Sequence, residues 1–168
     1  MIAPVFVDTN VLLYARDAAE PAKQPLAAAW MASLWRERAG RTSIQVLSEY
    51  YVNATRKLRP GLAPEVAWDD VRALMSWQPQ PLDATVLQAG REIERRYRLG
   101  WWDSLIVAAA LGQGCTLLLS EDLQDGMKFG GLTVRSPFAL MAGEIPAAYA
   151  ATPGAVSAHR PRGRPRRK

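Results

Sequence analysis

The sequence predicts an α/β fold, a central and mostly parallel sheet with helices packed on its faces. Short apolar runs at 2–7, 116–119 and 132–135 read as strands, the first two with no polar alternation. The stretches between them repeat their apolar residues at helical spacing, and strands that alternate with helices make parallel sheets. The length, 168 residues of which 49% are hydrophobic, fits one domain, since a chain of about 150 residues buries roughly two thirds of its unfolded surface.

The first run ends at Asp8, and a helix is expected directly after it with Val11, Leu12 and Ala15 on one face. Residues 26–38 carry Trp30, Leu34 and Trp35 at helical spacing, and 44–58 carry Val46, Leu47, Tyr50, Ala54 and Leu58. Pro64 opens another helix bearing Val66, Val71, Leu74 and Met75, because proline suits a first turn. Asp83 is placed to cap a segment that runs to Tyr97. Asp103 begins an alanine-rich helix whose sides are nearly all apolar or small, with Gly114 as its C-cap. After the second strand a polar loop spans 120–131 and leads into the third. From Pro146 onward Ala, Pro, Gly and Ser dominate, and no large apolar residue follows in the closing arginine run. A folded domain over 1–143 and a disordered tail over 144–168 are therefore expected.

Composition excludes several functions. A lone Cys115 makes no internal disulfide, a lone His159 anchors no zinc cluster, and a Ser-His-Asp triad has no histidine within the expected domain. No stretch approaches the roughly 18 consecutive apolar residues of a spanning helix, and Met1-Ile2-Ala3-Pro4 lacks the basic region of an export signal. A cytoplasmic protein without a membrane segment is expected. The net charge of +5 belongs to the tail: Arg160, Arg162, Arg164, Arg166, Arg167 and Lys168 fall in the last nine residues, leaving 15 basic against 16 acidic residues ahead of them. Cations spaced by Pro and Gly suit contacts to nucleic-acid phosphates rather than a fixed reading surface.

Parallel sheets bind ligands beyond the carboxyl ends of their strands. That places Asp8, with Thr9 and Asn10, at one candidate position, and Ser120, Glu121 and Asp122 at another. Taken singly, Asp8 and Asp103 have a simpler role as helix caps. Glu49 lies mid-helix on the shoulder of an apolar stripe, with Asn53 one turn further along its face. Spacing alone does not choose among Glu121, Asp122 and Asp125. Brought together by a sheet, such carboxylates repel unless protons or hard cations compensate. Oxygen ligands without His or Cys suit Mg²⁺ or Mn²⁺, and a site of that kind suits phosphodiester hydrolysis by metal-activated water.

Four segments of the chain also resemble the four acidic motifs of PIN domains, in family order and over about residues 4–138. They are Val7-Asp8-Thr9-Asn10-Val11-Leu12, Leu47-Ser48-Glu49-Tyr50, Trp102-Asp103-Ser104 with the apolar run behind it, and Leu118-Leu119-Ser120-Glu121-Asp122-Leu123. The likeness is greatest to VapC-type toxins of bacterial toxin-antitoxin pairs. It implies a three-layer α/β/α fold and a divalent-metal-dependent endoribonuclease using Mg²⁺ or Mn²⁺. It also implies that Asp8, Glu49, Asp103 and Asp122 form an acidic quartet that holds metal and carries catalysis, with Thr9, Asn10 and Ser120 as supporting polar groups. RNA as substrate, a cognate antitoxin and a homodimer follow from the same likeness. The alternative is an inactive PIN-like module that binds RNA through its tail, and intact carboxylates in all four motifs favour the enzyme. A haloacid-dehalogenase-like phosphatase expects a second Asp where Asn10 stands, and a receiver-like phosphoacceptor expects adjacent early acids. The tryptophans and tyrosines, at helical spacing, are expected in the core or against a protein partner rather than as base-stacking platforms.

Overall fold

A computed structural model describes residues 3–139. The start of the first predicted strand, residues 140–143, and the predicted tail with its six cations lie outside the described residues.

Three strands coincide with the apolar runs: β1 (Val5–Val7), β3 (Leu117–Leu119) and β5 (Leu132–Arg135). With β2 (Gly40–Arg41) and β4 (Lys128–Phe129) they form one five-stranded sheet of order β2-β1-β3-β5-β4. All neighbours run parallel except β4, which pairs antiparallel with β5 at the edge. Val5, Phe6 and Val7 are buried to a residue, as strands covered on both faces must be. β1 lies between β2 and β3, pairing Val5 with Gly40 and with Leu117. The expected α/β/α architecture with a mostly parallel centre is the fold observed.

The helices are α1 (Thr9–Tyr14), α2 (Gln24–Glu37), α3 (Ile44–Arg56), α4 (Pro64–Leu74), α5 (Ala84–Tyr97) and α6 (Trp101–Gly112), with one 3₁₀ turn at Met75–Trp77. Ser43 caps α3 by accepting from the Val46 amide, and Asp83 caps α5 in the same way through Val86. In α6 every residue from Ser104 to Ala110 is buried, and α5 packs along it. The apolar core runs from these helices across the sheet to Trp30, Leu34 and Tyr50.

Several expectations are corrected here. Asp103 is not the cap of α6; Gly100 holds that position and Asp103 lies in the first turn. The buried stripe of α4 is Ala67, Val71 and Leu74, which leaves Val66 and Met75 exposed. The loop over 120–131 contains β4, and β2 had no apolar run to announce it. Of the six tryptophans, Trp30 and Trp77 are buried, while Trp35, Trp68 and Trp102 are exposed.

β2 also supplies a test of the packing. A Cβ at Gly40 would lie 2.4 Å from ring atoms of Trp77, a buried side chain whose ring rests 4.9 Å from that of Trp35. A rigid indole held on both sides has little room to retreat. Gly40→Ala is therefore expected to destabilise the protein by about 1–3 kcal/mol in urea unfolding; an unchanged midpoint would contradict this packing.

Candidate active site

The sheet ladder continues past its strand ends and aligns the chemistry-bearing residues along one edge. The Asp8 amide donates to Leu119 O at 3.0 Å, and the Ser120 amide donates to Arg135 O at 3.0 Å. Asp8 thus follows β1, and Ser120 follows β3, at the carboxyl edge where parallel sheets bind ligands.

Asp8 does occupy the cap position of α1, and Oδ1 accepts from the Thr9 amide at 2.7 Å. Its other oxygen has a different task. Oδ2 accepts from Ser120 Oγ at 2.7 Å and from Asn10 Nδ2 at 3.3 Å. Asn10 Nδ2 also donates to Ser120 Oγ at 3.3 Å, and Asn10 Oδ1 accepts from the Glu121 amide at 3.1 Å. Ser120 Oγ further accepts from the Asp122 amide at 3.2 Å. Asp8, Thr9, Asn10 and Ser120 are all buried, so this network fixes the start of the loop that carries Asp122.

Glu49 reaches the same edge from α3. Its Oε2 accepts from Thr9 Oγ1 at 3.0 Å and its Oε1 from Gln45 Nε2 at 3.2 Å. Gln45 also donates to the carbonyl of Trp102 at 3.3 Å, which ties α3 to the residue before Asp103. Asn53 is buried one turn further along α3. Gln45 belongs to none of the acidic motifs; its four-residue spacing from Glu49, one helical turn, is the sequence signal that points to it.

The acidic loop sorts its own carboxylates. Glu121 turns to Lys23, with which it forms an ion pair at 2.5 Å. Asp125 is buried and accepts from the Ser136 amide at 2.8 Å. Gly126, at φ +83°, lets its amide reach Val134 O at 2.8 Å, so the far end of the loop is stitched to β5. Asp122 is exposed.

These placements have an electrostatic result. Burial first, and then the charges of Asp122 and Glu49, raise the Asp8 carboxyl from 3.8 to about 7, although the bonds from Ser120 and Thr9 oppose them. Lys23 is held above its ordinary value: burial would lower it, and the contacts to Glu121 and Tyr14 outweigh that. Cys115, away from this edge, is pushed up to about 12 by burial and offers no nucleophile.

Asp122 and Glu49 therefore both act on Asp8, and Gln45 ties the helix of Glu49 to the residue before Asp103. Among the described residues no three Asp, Glu, His or Cys side chains close into a ready-made coordination shell. The donor set nonetheless suits a hard divalent cation: it is all oxygen, and its central carboxyl is held toward the neutral form by burial and then by negative neighbours. Ser120→Ala removes the bond that most opposes this shift. It is expected to cost about 1–3 kcal/mol in thermal or urea unfolding, and to lower any activity of the site on the order of 10–100-fold.

The PIN domain family model matches residues 5–124. Among solved structures, the chain is similar to Mycobacterium tuberculosis VapC20, described as a sarcin-ricin loop cleaving toxin. The two are 22% identical with a TM-score of 0.53, and the match covers 68% of this chain and 86% of the other. A likeness at that identity speaks for the fold. A search of curated proteins found no match.

Proposed function

Because the chain belongs to the PIN domain family, we propose that it is a divalent-metal-dependent endoribonuclease and the toxin of a toxin-antitoxin pair. The observation that carries the reading is the buried Asp8 carboxyl, raised to about 7 at the carboxyl edge of a parallel sheet with Asp122 and Glu49 acting on it. A fold keeps such an arrangement when a cation is to offset it.

Asp8, Glu49, Asp103 and Asp122 would hold the ion, Mg²⁺ or Mn²⁺. When bound, such an ion lowers the pKa of water and offsets charge on a phosphate and its leaving oxygen. The chain's own residues prepare the place. Ser120 Oγ and the Thr9 amide hold both oxygens of Asp8, so the carboxylate keeps its direction when it gives up its proton. Thr9 and Gln45 do the same for the two oxygens of Glu49. Lys23 pairs with Glu121, and Asp122 is exposed to solvent.

The partners follow from the same reading. RNA is the substrate, and a cognate antitoxin and a second copy of the chain are the protein partners. Exposed Trp68 and Met75, seven residues apart along α4 and its 3₁₀ extension, give such partners apolar contacts. Among the described residues no helix is long and apolar enough to cross a membrane, which suits a cytoplasmic enzyme.

The test is expression in a bacterial host followed by mapping of RNA ends. Wild-type chain is expected to slow growth and create new RNA ends, and Asp8→Asn to do neither. Normal growth with an unchanged RNA profile at high wild-type expression would reject the toxin reading.

A further inference from the structure

The acidic mouth holds a lysine fixed on several sides. Lys23 precedes α2, and its Nζ is paired with Glu121 and donates to the Tyr14 hydroxyl at 3.3 Å. The same Nζ lies 4.6 Å from the centroid of the Tyr14 ring and 5.3 Å from that of Phe138. These two rings meet edge to face at 5.1 Å and 83°. The cage is drawn from three places in the chain: the last residue of α1, the loop after β3 and the segment after β5.

A lysine ammonium carries three N–H donors. Glu121 and Tyr14 engage two of them among the described residues, and the side chain keeps 29% of its surface accessible. Glu121 is adjacent to Asp122, about 3.8 Å away from Cα to Cα, and its amide is bonded to Asn10. Lys23 therefore stands beside the carboxylate cluster with a donor to spare, in a mouth whose other charges repel a nucleic-acid strand. Cation–π contacts hold a cation in place without neutralising it, and a point charge of this kind contacts phosphate well.

We propose that Lys23, caged by Tyr14 and Phe138, is a phosphate-binding residue that seats the RNA strand next to the acidic site. The inference rests on the ribonuclease reading above, and it assigns the site a subsite for a neighbouring backbone phosphate. The contact is to the backbone, so it carries affinity and position rather than base sequence.

The test measures binding of a fluorescent random-sequence single-stranded RNA to the full chain carrying Asp8→Asn, which removes cleavage, over a series of KCl concentrations. Adding Lys23→Gln is expected to weaken binding and to flatten the slope of log affinity against log salt by about 0.7, the share of one phosphate contact on a single strand. Lys23→Arg should restore both. The double variant Lys23→Gln with Glu121→Gln separates this role from mere neutralisation of Glu121: it should keep the flattened slope. A return to the parent's slope in that double variant, or no change with Lys23→Gln, would overturn the inference while leaving the enzyme reading intact. Absence of RNA binding by the Asp8→Asn parent at every salt concentration would overturn both.

Discussion

Asp8→Asn is expected to abolish RNA cleavage and, in the same molecule, to stabilise the metal-free protein. An amide keeps the shape of the carboxyl group and an oxygen for the Thr9 amide, which Asp8 Oδ1 now accepts at 2.7 Å. What it loses is charge and the Oδ2 acceptor used by Ser120 Oγ and Asn10 Nδ2. Raising a carboxyl from 3.8 to about 7 means that ionising it inside the fold costs on the order of 4 kcal/mol at alkaline pH. Repair of the bond to Ser120 recovers less than the original, so a net gain of roughly 2–3 kcal/mol is expected after subtracting about 1 kcal/mol for that bond. Thermal unfolding in EDTA at pH 8 should show a midpoint several degrees higher for the variant. Retained cleavage by Asp8→Asn would contradict the site. Lost cleavage with a lower midpoint would assign Asp8 a purely structural role.

The second large effect is the dependence of that difference on pH. The folded-state value of Asp8, about 7, lies above its ordinary 3.8. Between these values the folded protein holds a proton that the unfolded chain has released, so the slope of stability against pH from this group is negative. Its contribution is fully present below about 4 and is lost as pH rises through about 7. Wild type and Asp8→Asn should therefore differ least near pH 4 and most at pH 8 in urea unfolding with EDTA, by up to about 4 kcal/mol of relative change. Contributions from groups remote from Asp8 cancel in the comparison. Saturating Mg²⁺ at pH 8 should stabilise wild type by mass action and the variant much less. A gap that stays constant from pH 4 to 8 would show that Asp8 is not held in its neutral form by the fold.

Much of this architecture was legible because burial on both faces writes a strand as a continuous apolar run. β1, β3 and β5 each show that pattern, and Asp83 and Pro64 mark the starts of α5 and α4 with their ordinary local chemistry. β2 and β4 were invisible for the opposite reason. Each is two residues long at a sheet edge, Gly40–Arg41 and Lys128–Phe129, so neither offers a periodicity to read. The outward turn of Val66, Met75 and Trp35 was equally hidden, since an apolar residue does not declare which neighbour covers it.

In the site, the resemblance to the four acidic motifs singled out Asp8, Glu49, Asp103 and Asp122, and the fold sets Glu49 and Asp122 within electrostatic reach of Asp8. Spacing did not separate Asp122 from Glu121 and Asp125. Their surroundings differ through partners remote in sequence: Lys23 pairs with Glu121 and the Ser136 amide donates to Asp125. Lys23 itself carried no signal, being a single cation before a helix. For Asp103 the simpler role of a helix cap does not apply, since Gly100 holds the cap position and Asp103 lies in the first turn.

If the carboxylates at this edge run a metal-dependent hydrolysis of RNA, cleavage needs both the ion and the aspartates. The decisive measurement is cleavage of a defined set of RNAs by the purified full chain in EDTA, in Mg²⁺ and in Mn²⁺, beside Asp8→Asn and Asp103→Asn. Internal cuts are expected only with the divalent ion, and none by either variant. Cleavage that persists in EDTA, or that survives both substitutions at the wild-type rate, would contradict it, as would RNA binding without cleavage under every ion condition.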